Sequence, residues 1–254
     1  MIDKVRLGTT KLLVSRISFG TTPLSGVSWK RESALSPEEG GRVLRRALEL
    51  GINYWDSAEG YGSHLHIREA LKGVERSNIV ISTKTNAKEE YEVRKCIKTS
   101  LQELGSEYID IYYLHRINSL KELRRKRKVI KALVKLREEG FIRHIGVSSH
   151  SHRVIDAVVE LPEVEVIMAK INKIGYRTES PPQLMLNALS SAYDAGKGVV
   201  IMKVLAYGKL SIREALEWAL RLPFVHTVCI GMRTIKEVEE NVRLYHEIKE
   251  GTKS

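Results

Sequence analysis

Four residues in this chain have the types and spacing to do chemistry together: Asp56, Tyr61, Lys84 and His115. Asp56 and Tyr61 share the stretch INYWDSAEGYG, where the apolar run Ile52-Asn53-Tyr54-Trp55 breaks into an acid, small residues and glycines. Lys84 closes NIVISTK and His115 closes IDIYYLH. A phenol has a reference pKa near ~10, too high for ready proton exchange at neutral pH. A neighbouring ammonium favours the phenolate and lowers that value. Lys84 can be that ammonium, and Asp56 can keep it charged and oriented. Tyr61 is then a general acid for a carbonyl oxygen gaining negative charge, and His115 can donate a hydrogen bond to the same oxygen. Such a set suits carbonyl reduction, and it needs a hydride donor that no side chain supplies. Singly, each residue also has an ordinary structural reading: a loop aromatic, two strand-end charges and a core histidine.

The four are positioned by a regular alternation. Residues 3–14 read as a hairpin around Leu7-Gly8-Thr9-Thr10. Strand-like runs follow at 16–19, 52–57, 78–84, 109–115, 143–148, 164–172, 198–205 and 225–230, each leading into a helical pattern. Ser36-Pro37-Glu38-Glu39 is a helix start, with a capping serine, a first-turn proline and acids at the positive end. The strands are nearly continuous apolar runs, as expected when both faces of a sheet are covered. Eight strand–helix units in 254 residues have the size and rhythm of an α/β protein built as a (β/α)8 TIM barrel with an N-terminal β-hairpin. A doubly wound open sheet is the alternative, but FGTTPLSG after the first strand is not a GxGxxG loop. No linker-like shift in composition divides the chain, so residues 1–254 are expected to form one domain. In a barrel the active site lies at the C-terminal strand ends. Asp56, Lys84 and His115 end three consecutive strands about 4.8 Å apart, with Tyr61 in the loop between the first two.

These motifs resemble the aldo-keto reductase family. INYWDSAEGYG resembles its aspartate-to-tyrosine motif, VISTKT its lysine motif and YIDIYYLHR its histidine motif. GFIRHIGVSSH resembles the fifth-strand segment, and CIGMRTIKEVEENV the C-terminal cofactor segment. The resemblance implies a catalytic tetrad of Asp56, Tyr61, Lys84 and His115, with Tyr61 donating the proton. It also implies a nicotinamide cofactor lying across the barrel mouth, close to Asp56 and the first-strand residues Gly20 and Thr21. Ser148 and Ser149 then face the carboxamide, where the family usually has Ser-Asn. Met168 stands where a glutamine is usual and Met202 where a tyrosine stacks on the nicotinamide; plain core methionines are an equal reading of both. Lys203 follows in the same segment. The adenosine end is expected at Gly231, Met232, Arg233 and Thr234, with Glu240 and Asn241 near adenine. Arg233 suits a 2′-phosphate, whereas Glu237 opposes one, so NADPH is favoured and NADH stays open. The substrate pocket is assigned to Tyr61, His115, Trp29 and Trp55, with Trp55 equally readable as core.

Composition sets the surroundings. The chain is 43% hydrophobic and 29% charged, an ordinary globular balance. No apolar run approaches the ~20 residues of a membrane helix, and the N-terminus MIDKVRLGTTKLLV lacks the apolar core of a signal peptide. A cytoplasmic protein is expected. Cys96 and Cys229 have no CxxC or metal-ligand spacing and read as reduced thiols. The net charge is +11, partly from KELRRKRK at 121–128. That run precedes a helical apolar stripe and has no interleaved aromatics, so a solvated helix face is preferred to a nucleic-acid site. The expected function is NAD(P)H-dependent reduction of small aldehydes or ketones. The alternative is a cofactor-binding redox sensor or regulatory subunit with little turnover.

Overall fold

The computed structural model describes residues 1–26 and 33–251. Strands β1 (Lys4–Arg6) and β2 (Leu13–Ser15) pair antiparallel. Eight further strands close into a barrel: β3 (Ile17–Gly20), β4 (Tyr54–Asp56), β5 (Val80–Thr85), β6 (Ile109–Leu114), β7 (Ile142–Ser149), β8 (Val166–Lys170), β9 (Gly198–Met202) and β10 (Thr227–Gly231). All eight run parallel, in the order β10-β3-β4-β5-β6-β7-β8-β9. The outer layer is α1 (Pro37–Glu49), α2 (His64–Leu71), α3 (Glu90–Leu104), α4 (Leu120–Arg125), α5 (Arg127–Glu138), α6 (His152–Val159), α7 (Pro182–Asp194), α8 (Ile212–Leu220) and α9 (Ile235–Gly251).

Local signals account for the helix ends. The Ser36 hydroxyl accepts from the Glu39 amide while the Glu39 carboxylate accepts from the Ser36 amide, and Pro37 fills the first turn. Gly105 ends α3 at φ 63°, a left-handed position that costs glycine nothing sterically. The basic run differs from the single helix expected. It breaks at Lys126, whose ammonium is buried against the carbonyls of Asn86 and Ala87 and so pins the α4–α5 junction. Lys128 pairs with Glu89 and Arg127 with Glu163.

Two apolar layers follow from the period of two along a strand. Residues such as Phe19, Trp55, Ile81, Tyr112, Ile145, Ile167 and Ile201 face the helices. Tyr54, Val80, Ile111, Tyr113, Val166, Met168, Val200 and Cys229 fill the bore. The hairpin supplies Leu7, Leu12 and Val14 to this inner cluster, and the Thr9 amide donates to the Gly196 carbonyl. Gly8 and Gly198 let the two backbones approach: a Cβ on Gly8 would lie 2.4 Å from the Gly198 nitrogen. The hairpin therefore floors the barrel at the N-terminal strand ends and leaves the opposite mouth open for a site. Among the described residues no helix is long and apolar enough to cross a membrane.

Candidate active site

The upper bore is built by the inward positions of successive strands. Asp56 is the last residue of β4, and its strand partner is Ser82 on β5. Two residues beyond Ser82, on the same face, stands Lys84, paired in register with Tyr113 of β6. The Lys84 ammonium donates to both Asp56 oxygens and to the Ser57 carbonyl, each at 2.6 Å. The Ser82 hydroxyl donates to Asp56 Oδ1 at 2.6 Å, and the Cys229 thiol lies 3.8 Å from Oδ2. Asp56 and Lys84 are 4% and 1% exposed. Burial weakens the hold of Lys84 on its proton, but the Asp56 carboxylate more than restores it, so the ammonium titrates above its ordinary value.

Tyr61 lies above this pair, on the short turn Glu59–Tyr61. The Lys84 nitrogen is 5.3 Å from its ring centroid. The turn is anchored from behind, because the Tyr112 hydroxyl donates to the Glu59 carboxylate. His115 follows β6 directly, its amide bonded to the Thr85 carbonyl. Its ring meets Tyr61 edge to face, with centroids 5.9 Å apart. Burial, with the positive charges of Lys84 and Arg116, lowers the His115 pKa to about 3. His115 is therefore a neutral imidazole at physiological pH, able to donate a hydrogen bond without carrying charge. One expectation is corrected here. The Tyr61 phenol titrates above its ordinary value, because burial raises it more than the Lys84 ammonium lowers it, and the Asp56 charge adds to the rise. Of the charges around it, the Lys84 ammonium is the one that favours release of the phenolic proton, acting against burial and Asp56.

The other expected residues divide. Gly20 and Gly231 stand side by side in register at adjoining strand ends. Thr21 is fully buried; its amide and hydroxyl both donate to the Asp56 carbonyl and brace that strand end. Ser148 accepts from the Arg116 amide, and Ser149 forms a local turn with Ser151. Met168 is wholly enclosed in the bore, whereas Met202, one inward layer nearer the mouth, is only half-buried. Met232 belongs to the barrel–helix core, since its neighbour Gly231 takes the inward position. Trp55 is corrected for the same reason: next to an inward Asp56 it must point outward, and it is fully buried with its indole N–H on the Ile52 carbonyl. Trp29 lies outside the described residues.

At the start of α9, Glu237 accepts from the amides of Arg233 and Thr234, and its own amide donates to the Thr234 hydroxyl. Amides expected to favour a phosphate are thus held by a side-chain cap. The Arg233 guanidinium bonds the carbonyls of Pro23 and Ser33. Glu240 is exposed and Asn241 buried. The sequence reading passed over Ser82, Cys229, Lys170 and Tyr207. The first three were legible as inward positions two residues from Lys84, Gly231 and Met168. Lys203 follows β9 at φ 65°, and its ammonium lies 6.0 Å from the Tyr207 ring.

Residues 16–215 match the model of the aldo/keto reductase family. The chain belongs to that family. L-galactose dehydrogenase of Arabidopsis thaliana is 29% identical over 292 residues, covering 98% of this chain and 89% of its own length. NADH-specific methylglyoxal reductase of Escherichia coli K12 is 28% identical over 203 residues, covering 70% and 62%. Among solved structures, the holo form of an aldo-keto reductase from Bacillus halodurans superposes with a TM-score of 0.80 at 25% identity, covering 98% of this chain and 96% of that one. This aldo-keto reductase is an NAD(P)H-dependent oxidoreductase that reduces carbonyl compounds. The donor set fits a nicotinamide dinucleotide: Lys203, Lys209 and Arg177 gather about Tyr176 and Tyr207 beside β8 and β9, offering positive charge to a diphosphate. When bound, the dinucleotide supplies the hydride.

Proposed function

We propose that this aldo-keto reductase converts small aldehydes or ketones to alcohols, with Tyr61 as the proton donor. The observation that carries the reading is the buried Asp56–Lys84 pair directly beneath the Tyr61 ring. As the carbonyl oxygen gains charge, the Tyr61 hydroxyl gives up its proton to it. The Lys84 ammonium stabilises the phenolate left behind, at low dielectric and with no reorganisation. Asp56 keeps Lys84 charged and fixed, and the neutral His115 donates to the same oxygen and orients the substrate.

We infer NADPH as the preferred donor. Arg233 would offer a guanidinium to a 2′-phosphate, and the carboxylate of Glu237 is engaged by two backbone amides, which mutes its repulsion of that group. Lys203, Met202 and Gly231 are the candidate contacts on the nicotinamide and diphosphate side. The half-buried Cys96 and buried Cys229 are both free thiols, in keeping with a cytoplasmic protein. Residues 1–254 act as one unit in this reading, because the hairpin completes the core beneath the site.

The test is NADPH and NADH oxidation against a carbonyl panel, with Tyr61→Phe as control. Carbonyl-dependent oxidation that is lost in Tyr61→Phe is expected. Nucleotide binding without turnover across the whole panel would replace this reading with a sensor.

A further inference from the structure

The loops on one side of the barrel mouth carry an excess of positive charge that the proton-transfer site does not use. Among the described residues, the non-glycine positions with positive φ are Arg116, Arg177, Lys203, Ala206 and Tyr207. All five lie on the loops after β6, β8 and β9, and three of them are cations. Side chains with a Cβ rarely adopt this backbone, and it persists where the surroundings demand it, typically at ligand sites.

These loops gather like charges. The Lys170 and Lys203 ammonium groups lie 5.5 and 6.0 Å from the Tyr207 centroid, and the Arg177 guanidinium lies 5.3 Å from it. Lys209 is 5.9 Å from the Tyr176 centroid, and the two rings meet edge to face at 6.4 Å. The carboxylate in this arc is Glu179, shared between Lys170 at 3.0 Å and His150 at 2.9 Å. Arg116, Arg177, Lys203 and Lys209 form no ion pair with a carboxylate among the described residues. A cofactor diphosphate carries two negative charges. Against Arg177, Lys203 and Lys209 it leaves one positive charge, and Arg116 is additional to these.

The surplus extends to the reacting end. Arg116 directly follows His115 and is exposed, and its amide is pinned by the Ser148 hydroxyl at 2.9 Å. Burial and the Lys84 charge chiefly depress the proton affinity of His115, and Arg116, His150 and Lys203 add smaller contributions. Arg116 thus stands one residue from the imidazole that the reading above directs at the carbonyl oxygen.

We propose that the substrates of this reductase carry an ionised acid group, carboxylate or phosphate, in addition to the carbonyl, and that Arg116, backed by the cationic arc of the β8 and β9 loops, holds that group. The inference rests on the carbonyl-reductase reading above. It adds the chemical class of the substrate and a specificity-determining residue that takes no part in proton transfer. A guanidinium can hold either acid through paired N–H donors.

Matched substrates test it on the full chain with NADPH: butanal against 4-oxobutanoate, and glyceraldehyde against its 3-phosphate. The expected result is a kcat/KM preference for the acid of about ten-fold or more in at least one pair, as for a charge-assisted hydrogen bond. The pair that shows it identifies carboxylate or phosphate. The preference should shrink as salt is raised, because the subsite is exposed. Arg116→Met should bring the acid/neutral ratio to within about two-fold of unity while the NADPH Kd, read by fluorescence, moves by less than about two-fold. Arg116→Lys should retain part of the preference and serves if Arg116→Met does not fold. Equal kcat/KM within both pairs, or an unaltered ratio in Arg116→Met, overturns the proposal while leaving the carbonyl-reductase reading intact. A loss of NADPH affinity as large as the loss of substrate preference also overturns it, by assigning Arg116 to the cofactor. No turnover of either acid substrate also overturns the proposal; the carbonyl-reductase reading falls only if the whole carbonyl panel gives no oxidation of NADPH or NADH.

Discussion

The Lys84 ammonium sits 2.6 Å from each carboxylate oxygen of Asp56, and both side chains are sealed in the upper bore of the barrel. Each of these buried charges has the other as its counter-charge in place of water. Removing one partner strands the other. Asp56→Asn should therefore cost about 3–5 kcal/mol of stability, and the double variant Asp56→Asn/Lys84→Met should recover much of it. Urea unfolding measures both. A single variant as stable as the wild type would mean that the pair does not support the bore.

Tyr61→Phe keeps the ring, and with it the edge-to-face contact with His115 and the cover over Lys84. It removes the transferable proton. The expected outcome is a fall in kcat of about 10²–10⁴-fold, the usual worth of a positioned general acid. Nucleotide Kd should be nearly unchanged. Stopped-flow hydride transfer, followed by loss of cofactor absorbance, separates the chemical step from product release.

Acid should destabilise the fold through its buried histidines. Folded His115 titrates at about 3 and His226 at about 4, both depressed chiefly by burial. In the unfolded chain they take up protons near ~6.5. Between those values the unfolded state binds more protons, so stability is full above ~6.5 and falls as pH drops toward 4. Urea midpoints measured from pH 8 to 4 should decline over that interval. An NMR titration should show no His115 protonation above pH ~5; a His115 shift centred near neutrality would contradict the neutral-imidazole role.

Gly146 is inward-facing on β7, beside the fully buried Tyr113. A Cβ there would lie 2.3 Å from the Tyr113 ring, which is itself hydrogen-bonded to Tyr54 at 3.0 Å and cannot swing away. Gly146→Ala should cost roughly 1–3 kcal/mol by overpacking. A calorimetric melt would register this as a lowered Tm, and an unshifted Tm would show that the bore can repack.

Glu237 separates a structural role from a recognition role. It caps two amides at the start of α9. Glu237→Ala should lower stability by about 0.5–2 kcal/mol, as for loss of a helix cap. It should leave the ratio of NADPH to NADH Kd largely where it was. A many-fold swing of that ratio would place the carboxylate on the ribose instead.

Much of this was legible in the linear sequence, and for a physical reason. Strand and helix periodicities are local, so the alternation of short apolar runs with capped helices already implied the barrel, with errors of a few residues at the ends. The barrel then fixes chemistry to strand termini, so Asp56, Lys84 and His115 could be assigned to one rim from their positions alone. Parity along a strand was also available: Trp55 next to an inward Asp56 had to face outward, which decides between its pocket and core readings in favour of the core.

The tertiary structure alone decided what depends on distance and burial. Lys84 lowers the Tyr61 pKa, but the net direction depends on the balance of desolvation and charge, and burial won. Whether Glu237 meets a ribose or its own helix, and whether Lys126 belongs to a wet face or a buried junction, depends on which carbonyls and amides come within reach. The cations of the β6, β8 and β9 loops are scattered through the sequence between Arg116 and Lys209. Only closure of the barrel gathers them at one side of the mouth.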